Sequence, residues 1–352
     1  MRNVHVPLRE GYEILIGPGL LGQAGARIAE KFSPSRIAVI TEGTVDALYA
    51  DALLSSLQKA GLSPCKYVFP AGEASKTLAT YADILEFLAR HEMDRKSLIV
   101  ALGGGVTGDM AGFAAATYMR GIPYVQIPTT LLAAIDSSVG GKTAVDLSAG
   151  KNLVGAFHQP SLVLCDTDTL ETLSPEIFAD GAAEAIKYGV LDSAALFAQI
   201  RDHKIRADRE EIIEKCVSIK RDYVVEDERD TGARQFLNLG HTIGHAIEAC
   251  SNFTISHGHA VAIGMVLIAR GAHRAGLLAE DCSAEIAAAA AAFGLDTRCP
   301  YDAEALYAAS LRDKKRGGAS ITLVLPEQIG KCRLEKVSMQ TLGEIIRLGV
   351  EA

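Results

Sequence analysis

Four of the chain's nine histidines lie within nineteen residues, in the segments LNLGHTIGHAIEA and SHGHAVAIGM. His241 and His245 are four residues apart in a run with helical periodicity, so both rings project from one face of the predicted helix. The second segment then supplies His257 and His259. Imidazole nitrogen is a good ligand for zinc, cobalt or iron when ligands converge from separate segments. The cluster therefore predicts a metal site, against the alternative of two capped helices that carry surface histidines.

A glycine-rich segment, GGGVTGDMAGF (103–113), follows a strongly apolar run and opens a predicted helix. Gly103, Gly105 and Gly108 match the pattern GxGxxG, which by itself is a weak signal for a nucleotide site. Glycine lets a backbone approach a phosphate, and the N-terminus of a helix provides N–H groups and the positive end of its dipole. The position departs from the usual dinucleotide fingerprint, because the segment follows the third predicted strand rather than the first.

Two other turns follow predicted strands in the same half of the chain. TEGTV (41–45) forms the first predicted strand–helix turn, and its Glu42 is placed to accept a hydrogen bond from a ribose hydroxyl. GEASK (72–76) is a further glycine turn, with Glu73 and Lys76 beside a helix start. Each turn alone is explained as a simple capped turn. Together, at the strand ends where open α/β sheets bind ligands, the turns favour a bound dinucleotide.

Basic residues stand beside glycine turns and the histidines, although the net charge is −8. Asp136 and Lys142 flank a Gly-Gly pair, and Lys187 follows Glu184 by one predicted helical turn. Others of the same kind are Arg120 before Gly121, Lys151 and Asn152 after Gly150, and Lys220 and Arg234 ahead of the histidines. Singly, each is more readily explained as a solvated surface charge. Together they indicate a site for an anionic substrate, where a charge-assisted hydrogen bond contributes about 1.5–3 kcal/mol.

The elements that position these residues change character near residue 173. Before it, amphipathic segments such as TLATYADILEFLARHEM, with Ser75 as the predicted cap, separate short apolar runs. The predicted strands are 36–40, 66–70, 97–103, 124–128 and 162–166. This alternation predicts an α/β, Rossmann-like dinucleotide-binding domain over 1–173, with a mostly parallel sheet covered on both faces. Alanine-rich helical runs follow, and only 321–334 reads as extended, so we expect a mainly α-helical metal- and substrate-binding domain over 174–352.

Composition narrows the class of protein. At 352 residues, with 49% apolar and 22% charged residues, the chain is typical of a soluble globular enzyme with two domains. The acidic net charge argues against nucleic acid, and the apolar runs are shorter than the roughly 18 residues that a membrane span needs. The first residues lack the apolar block of a signal peptide. Seven cysteines, scattered without a CxxC pair, argue against a disulfide framework and a thiolate zinc site. We therefore expect a cytoplasmic protein.

Taken together, several segments closely resemble the 3-dehydroquinate synthase family in residue type and spacing. They are GEASK, LGGGVTGDMAGF, YMRGIPYVQIPTTLLAAIDSSVGGKTAVD, GKNLVGAFHQP, AEAIKYG, DERDTGARQFLNLGHTIGHAIE and HGHAVAIGM, with GASITLVLPEQIGK near the C-terminus. The resemblance implies a homodimer that binds NAD and a divalent metal, Zn²⁺ or Co²⁺. It implies conversion of 3-deoxy-D-arabino-heptulosonate 7-phosphate to 3-dehydroquinate and phosphate in the shikimate pathway. The steps would be transient oxidation by NAD, phosphate elimination, re-reduction and intramolecular aldol closure, which makes the enzyme a carbon–oxygen lyase.

The resemblance also assigns residues. The metal ligands would be Glu184, His241 and His257, and His245 would face the substrate rather than the metal. The NAD contacts would be Glu42, Glu73, Lys76, Gly105, Val106, Thr107, Gly108, Asp109, Thr129, Thr130, Lys142, Lys151, Thr169, Leu170, Glu171 and Thr172, of which Glu42 comes from the turn argument above. The substrate would be surrounded by Asp136, Lys142, Lys151, Asn152, Lys187, Lys220, Arg234, Asn238 and His245, with Arg120 from across the dimer interface. Lys314 or Lys315 would add to the phosphate pocket.

Two departures from the family pattern leave alternatives open. This chain has His257-Gly258-His259 where relatives commonly have HGE, so His259 is an alternative third ligand. Asp230 stands where glutamate is more usual, which would shorten a polar contact near the substrate. Rival functions are a sister sugar-phosphate cyclase such as 2-deoxy-scyllo-inosose synthase, an NAD- and metal-dependent polyol dehydrogenase, and a catalytically silent binding module. Arg234 argues against the first, because a substrate without a carboxylate leaves its guanidinium without an anion.

Overall fold

The computed structural model describes residues 1–313 and 320–351. The chain divides into two compact units, Met1–Leu173 and Ser174–Ala352. The functional roles expected for the two units stay predictions. Among the helices of the described residues, none combines the length and apolarity that crossing a bilayer demands.

Parallel strands dominate the first unit, as the alternating sequence predicted. Its strands are β1 (Arg2–Val6), β2 (Tyr12–Gly17), β3 (Ile37–Glu42), β4 (Pro64–Phe69), β5 (Leu98–Gly103), β6 (Tyr124–Pro128), β7 (Lys142–Leu147), β8 (Gly150–Phe157) and β9 (Leu162–Asp166). Seven of them form one sheet in the order β1-β2-β9-β6-β5-β3-β4. Only the β1–β2 pair runs antiparallel within this sheet. The predicted α/β fold class is confirmed.

Helices cover both faces of this sheet. They are α1 (Leu20–Lys31), α2 (Gly43–Val45), α3 (Asp51–Lys59), α4 (Leu78–Arg90) and α5 (Gly105–Thr117), and a π-helical segment (Asp46–Ala50) joins α2 to α3. Along β3, Ala38 and Ile40 pack into a core with α4 and α5, whereas Ile37 and Val39 pack into a second core with α1 and α3. Successive side chains of a strand point to opposite faces, so a strand that is apolar throughout needs cover on both sides.

Two local predictions in this unit were wrong, and one hairpin was missed. Thr77, not Ser75, caps α4 by accepting a hydrogen bond from the Thr80 backbone N–H, because Glu73–Ser75 forms a 3₁₀ turn of its own. The first strand–helix turn is the β2–α1 connection, not 41–45, and the glycine segment follows the fifth strand. β7 and β8 form an antiparallel hairpin that the sequence had not predicted as strands.

Helices dominate the second unit, as predicted. They are α6 (Pro175–Asp192), α7 (Ala194–Arg201), α8 (Arg209–Glu226), α9 (His241–Cys250), α10 (His257–Arg274), α11 (Ser283–Ala291), α12 (Ala303–Asp313) and α13 (Met339–Val350). The extended segment predicted at 321–334 is two antiparallel strands, β10 (Ser320–Gln328) and β11 (Lys331–Ser338). Gly330, with φ of 86°, occupies the turn between them. The buried helix α10 packs against α6, α9, α11 and α13. Its first residue, His257, therefore belongs to an element that four other helices hold in place.

Candidate active site

Helix α6 supplies a buried carboxylate. Ser174 caps the helix and Pro175 occupies its first turn, which fixes where the helix begins. Glu184 lies two and a half turns further along and is fully buried. The Nζ atom of Lys187, which is also buried, lies 2.5 Å from Glu184 Oε2. The pair joins two charges on one face of α6, as the i, i+3 spacing predicted.

Helix α9 begins at His241 and approaches α10 closely. A Cβ added to Gly264 of α10 would stand 2.1 Å from the Gly240 carbonyl oxygen, so only glycine fits at that crossing. The Nδ1 atom of His241 lies 3.0 Å from the Leu239 carbonyl oxygen. A carbonyl only accepts, so Nδ1 carries the hydrogen and the Nε2 lone pair is left for another partner. Nε2 lies 3.8 Å from Glu184 Oε1.

The start of α10 is held against α6 by Asp180. Its carboxylate accepts hydrogen bonds from the Ser256 hydroxyl, at 2.5 Å, and from the His259 backbone N–H, at 3.1 Å. A Cβ on Gly258 would stand 2.3 Å from the Asp180 carbonyl oxygen, so this contact also requires glycine. Asp180 therefore acts as the N-terminal cap of α10 from a neighbouring helix, one turn before Glu184. This cap holds His257, the first residue of α10, beside α6.

Glu184, His241 and His257 converge. One ligand atom from each lies within 4.8 Å of the others, and His257 Nε2 is 3.2 Å from Glu184 Oε1. Two imidazole nitrogens and one carboxylate oxygen from three helices form a donor set typical of zinc or cobalt. A second group, His245, Glu248 and His257, meets the same distance criterion. The assignment of the ligands stays a proposal.

The ring of His259 is engaged elsewhere. Its Nε2 atom lies 2.7 Å from the Asp296 carbonyl oxygen, and neither donor group found among the described residues includes it. His245 is exposed, and its ring centroid lies 5.4 Å from that of His241. The shared helical face predicted for His241 and His245 is therefore present, while the structure favours His257 over His259 as the partner of Glu184.

The half-buried residues His241 and His257 have opposite electrostatic environments. Burial, together with the charge of Lys187, lowers the pKa of His241 to about 3. Burial also acts to lower the pKa of His257, but hydrogen bonds and charge interactions with Glu184 and Glu248 outweigh it and raise the pKa to about 10. Carboxylates on two sides therefore stabilise positive charge at His257, as a bound cation would require.

Other residues that the sequence assigned to the substrate site also lie in the second unit. Arg234 is buried in the 3₁₀ segment Ala233–Asn238, where its Nη1 atom donates to the Glu228 carbonyl oxygen at 2.8 Å. Lys220 is buried on α8. Asn238 is exposed at the end of the same 3₁₀ segment, and Asp230 has φ of 60°. Lys314 and Lys315 lie outside the described residues.

In the first unit, the glycine segment stands where a strand ends and a helix begins. α5 begins at Gly105, and no side chain in the described part of the chain caps it. A Cβ on Gly104 would stand 3.1 Å from the Thr130 side chain, and the Thr129 backbone N–H donates to the Gly103 carbonyl oxygen at 3.0 Å. The ends of β5 and β6 are therefore adjacent, with the first N–H groups of α5 beside them, as the dinucleotide prediction requires.

A buried lysine joins three of the predicted contacts. Lys76 Nζ donates to Asp109 Oδ2 at 2.6 Å and to Asn152 Oδ1 at 2.5 Å. Lys151 Nζ lies 3.8 Å from Glu73 Oε1. The turn 72–76, helix α5 at Asp109 and the β7–β8 hairpin thus meet through charged and polar groups.

The remaining predicted contacts of this unit occupy separate turns. The Glu42 carboxylate accepts from the backbone N–H groups of Thr44 and Val45, so it caps α2. Residues 169–172 belong to the 3₁₀ segment Thr167–Thr172 at the end of β9. Asp136 lies in a π-helical turn, Lys142 is exposed at the start of β7, and Arg120 is exposed with φ of 70°.

Two family models match the chain, the N-terminal 3-dehydroquinate synthase model over residues 66–180 and the C-terminal model over 181–316. The chain belongs to the 3-dehydroquinate synthase family. The 3-dehydroquinate synthase of Streptococcus suis (strain 05ZYH33) is 44% identical over 344 residues, which cover 96% of this chain and 97% of that protein. The family indicated by the sequence motifs is confirmed.

Two solved structures have the same fold. One is 2-deoxy-scyllo-inosose synthase complexed with carbaglucose-6-phosphate, NAD⁺ and Co²⁺, with a TM-score of 0.85 and 28% identity over 98% of this chain and 99% of that chain. The other is ValA, a 2-epi-5-epi-valiolone synthase from Streptomyces hygroscopicus subsp. jinggangensis 5008 with NAD⁺ and Zn²⁺ bound, with a TM-score of 0.87 and 27% identity over 97% of each chain.

Sequence reasoning missed two residues that lie close to the proposed ligands. Glu248 is buried with its Oε2 atom 3.3 Å from His257 Nδ1, and Asp180 caps α10. A signal for Glu248 was present, because positions 241, 245 and 248 follow the i, i+4, i+7 pattern of one helical face. Asp180 gave no comparable signal, since its partners lie 76 and 79 residues away in the chain.

Proposed function

We propose that this chain is a 3-dehydroquinate synthase, converting 3-deoxy-D-arabino-heptulosonate 7-phosphate to 3-dehydroquinate and phosphate. The observation that carries the proposal is the convergence of Glu184, His241 and His257 in a chain of this family. We propose NAD and a divalent metal, Zn²⁺ or Co²⁺, as cofactors, because the two similar solved structures carry NAD⁺ with one or the other.

The residues fit both cofactors. A carboxylate with two imidazoles leaves metal positions for substrate oxygens, and the uncapped start of α5 beside a glycine turn suits a pyrophosphate. When bound, the metal supplies Lewis acidity towards a substrate hydroxyl, and NAD supplies a reversible hydride acceptor.

We assign Arg234 to the substrate carboxylate. A guanidinium matches a carboxylate through two parallel hydrogen bonds, and burial strengthens such bonds. Lys187 holds a buried positive charge against Glu184, which suits it to stabilise negative charge on a substrate oxygen near the ligands. We assign the other substrate contacts by the family motifs, at Arg120, Asp136, Lys142, Lys151, Asn152, Lys220, Asn238 and His245.

We assign the NAD contacts in the same way. Lys76 and Asp109, which pair in the first unit, would bind the cofactor together with the first turn of α5. The other proposed contacts are Glu42, Glu73, Gly105, Val106, Thr107, Gly108, Thr129, Thr130, Lys142, Lys151, Thr169, Leu170, Glu171 and Thr172.

We also propose a cytoplasmic homodimer. All seven cysteines are free thiols, as is usual in a reducing compartment. Arg120 is exposed at the end of the turn Tyr118–Arg120, which suits the family assignment of this residue to the site of a second copy.

The decisive experiment incubates the metal-loaded protein with the heptulosonate phosphate and NAD, and follows phosphate release and nicotinamide absorbance together. We expect phosphate release without net accumulation of NADH, because the hydride returns in each turnover. Accumulation of NADH would instead identify a polyol dehydrogenase. Turnover of a substrate that lacks the carboxylate, at the same kcat/KM, would identify a sister cyclase.

A further inference from the structure

The ring of His257 lies between two carboxylates. Its Nε2 atom is 3.2 Å from Glu184 Oε1, and its Nδ1 atom is 3.3 Å from Glu248 Oε2. A neutral imidazole has one N–H and one lone pair, and the partner of one nitrogen decides which nitrogen keeps the hydrogen. An ionised carboxylate only accepts, so without a metal both ring nitrogens donate, one to each carboxylate. A metal held by Glu184 would displace the proton from Nε2, while Glu248 keeps the hydrogen on Nδ1.

We propose that Glu248 is a positioning residue that holds His257 in the tautomer and orientation that bind a divalent metal through Nε2. The inference rests on the ligand set of the proposed function. It adds a residue that touches neither the substrate nor the metal but acts through His257.

The location of Glu248 suits this role. It is buried on α9, two turns after His241, so one helix carries a proposed ligand and the carboxylate that orients another. The hydrogen bond from the Phe253 backbone N–H to the Glu248 carbonyl, at 2.8 Å, fixes the end of α9. A carboxylate on a rigid, buried element loses little freedom when it orients a ring.

The two histidines of the set are oriented by different groups. His241 Nδ1 meets a neutral backbone carbonyl, that of Leu239, whereas His257 Nδ1 meets an anion. A carboxylate behind a ligating imidazole raises its basicity as well as fixing its direction, and loss of such a partner typically weakens metal binding by about 10–100-fold. Glu248 therefore strengthens one ligand of the set selectively.

The second donor group offers a competing arrangement, in which Glu248 itself binds the metal with His245 and His257. In that arrangement the contact between Glu248 and His257 Nδ1 is replaced by metal bonds. Since the two ring nitrogens of one histidine point in different directions, a single ion takes one nitrogen or the other. The burial of Glu184 and the orientation of His241 towards it favour the first group.

The test measures zinc affinity of the full-length protein by competition with a chromophoric chelator, and records the visible spectrum of the Co²⁺-loaded form. The variants are Glu248→Gln, Glu248→Asp, His241→Ala and His245→Ala. Ser251→Ala is the matched control, because its hydroxyl donates to the Glu248 carbonyl and accepts from the Ile255 N–H, so it supports the same turn without touching His257. Circular dichroism verifies the fold of each variant.

We expect Glu248→Gln to weaken zinc binding by about 10–100-fold, with a Co²⁺ spectrum that keeps the intensity of the wild type because the ligands are unchanged. Glu248→Asp keeps the charge but moves it one methylene away from His257, so its zinc affinity should lie between those of the wild type and Glu248→Gln. It replaces Glu248→Gln in the test if the amide variant does not fold. Ser251→Ala and His245→Ala should retain wild-type affinity.

Wild-type affinity in both Glu248 variants, with affinity lost in His241→Ala, would overturn this inference and leave the proposed ligand set intact. Wild-type affinity in His241→Ala would overturn the ligand set itself. Loss of metal in Glu248→Gln and His245→Ala, with a Co²⁺ spectrum of changed intensity, would make Glu248 a direct ligand and overturn the positioning role.

Discussion

Glu184 and Lys187 form a buried ion pair one turn apart on α6, with 2.5 Å between Oε2 and Nζ. Two charges taken out of water are tolerated because each compensates the other. The other oxygen of the same carboxylate faces His257. A cation bound between them would therefore share Glu184 with Lys187, which links metal binding to the stability of α6.

We expect Lys187→Met to lower the free energy of unfolding of the metal-free protein by about 3 kcal/mol, because the buried carboxylate of Glu184 loses its nearest positive charge. Saturating zinc should restore part of this loss, since the ion supplies the missing positive charge. Urea unfolding with a chelator and with zinc measures both values.

The matched control is Lys215→Met, which removes an ion pair of similar length, 2.6 Å, that is partly exposed on α8. Lys215→Met should lower the free energy of unfolding by less than about 1 kcal/mol, and this loss should not depend on zinc. An equal loss with and without zinc in Lys187→Met would contradict the shared carboxylate.

Glu184→Gln should strip the metal while leaving NAD binding intact. The amide keeps the size of the side chain but loses the charge that a divalent cation requires. Elemental analysis of the dialysed protein measures the metal, and fluorescence titration measures NAD. Glu211→Gln, a substitution of a partly exposed glutamate, is the control. Unimpaired metal content in Glu184→Gln would refute the ligand set.

Lys76→Met should weaken NAD binding by about 10–100-fold. Lys76 is buried and bonds both Asp109 and Asn152, and hydrogen bonds to charged groups contribute about 1.5–3 kcal/mol. Titration of NAD onto the purified protein measures the change. Lys66→Met, which breaks the ion pair with Asp46 in the same unit, should leave the affinity unchanged. Equal effects of the two substitutions would indicate a general loss of stability.

Arg234→Ala should lower kcat/KM for the heptulosonate phosphate by about 100-fold or more, because the substrate carboxylate loses the guanidinium that binds it. Arg234→Lys should recover only part of the activity, since an ammonium lacks the planar fork. Steady-state kinetics of phosphate release measure both variants. Unchanged turnover in Arg234→Ala would show that another residue binds the carboxylate.

The loop that carries Arg234 should weaken in acid. Desolvation acts to raise the pKa of Asp227, but backbone N–H groups of Thr231, Gly232 and Arg234 outweigh it and lower the pKa below the ordinary value of 3.8. A carboxyl whose folded-state pKa is lowered stabilises the fold above its unfolded-state pKa, and this contribution is lost as the pH falls through the folded-state pKa.

Asp227→Asn should therefore be less stable than the wild type near neutral pH, and the difference should shrink as the pH falls below 3.8. Unfolding curves of the two proteins across this range measure the difference. A difference that does not depend on pH would show that the charge of Asp227 is not what supports the loop.

The amino-acid sequence predicted the elements whose signals are local. The apolar runs placed β3, β4, β5, β6 and β9 within three residues of their observed ends. The glycine segment before α5 was also evident, because a strand end, glycines and a helix start are adjacent in the chain. The predicted cap at Ser75 was wrong because Ser75 and Thr77 are both suitable capping residues. The local pattern did not choose between them, and the structure uses Thr77.

By itself, the sequence determined that the chain has an α/β half, a helical half and a cluster of histidines. Only the tertiary structure decided which groups meet. It brings Glu184 beside His257, turns the ring of His259 towards Asp296, and buries Glu248 behind His257. Periodicity shows which face of an element is apolar. The neighbour that a side chain meets where two helices cross depends instead on close packing. In this chain Gly258 and Gly264 allow the backbones of neighbouring helices to approach each other.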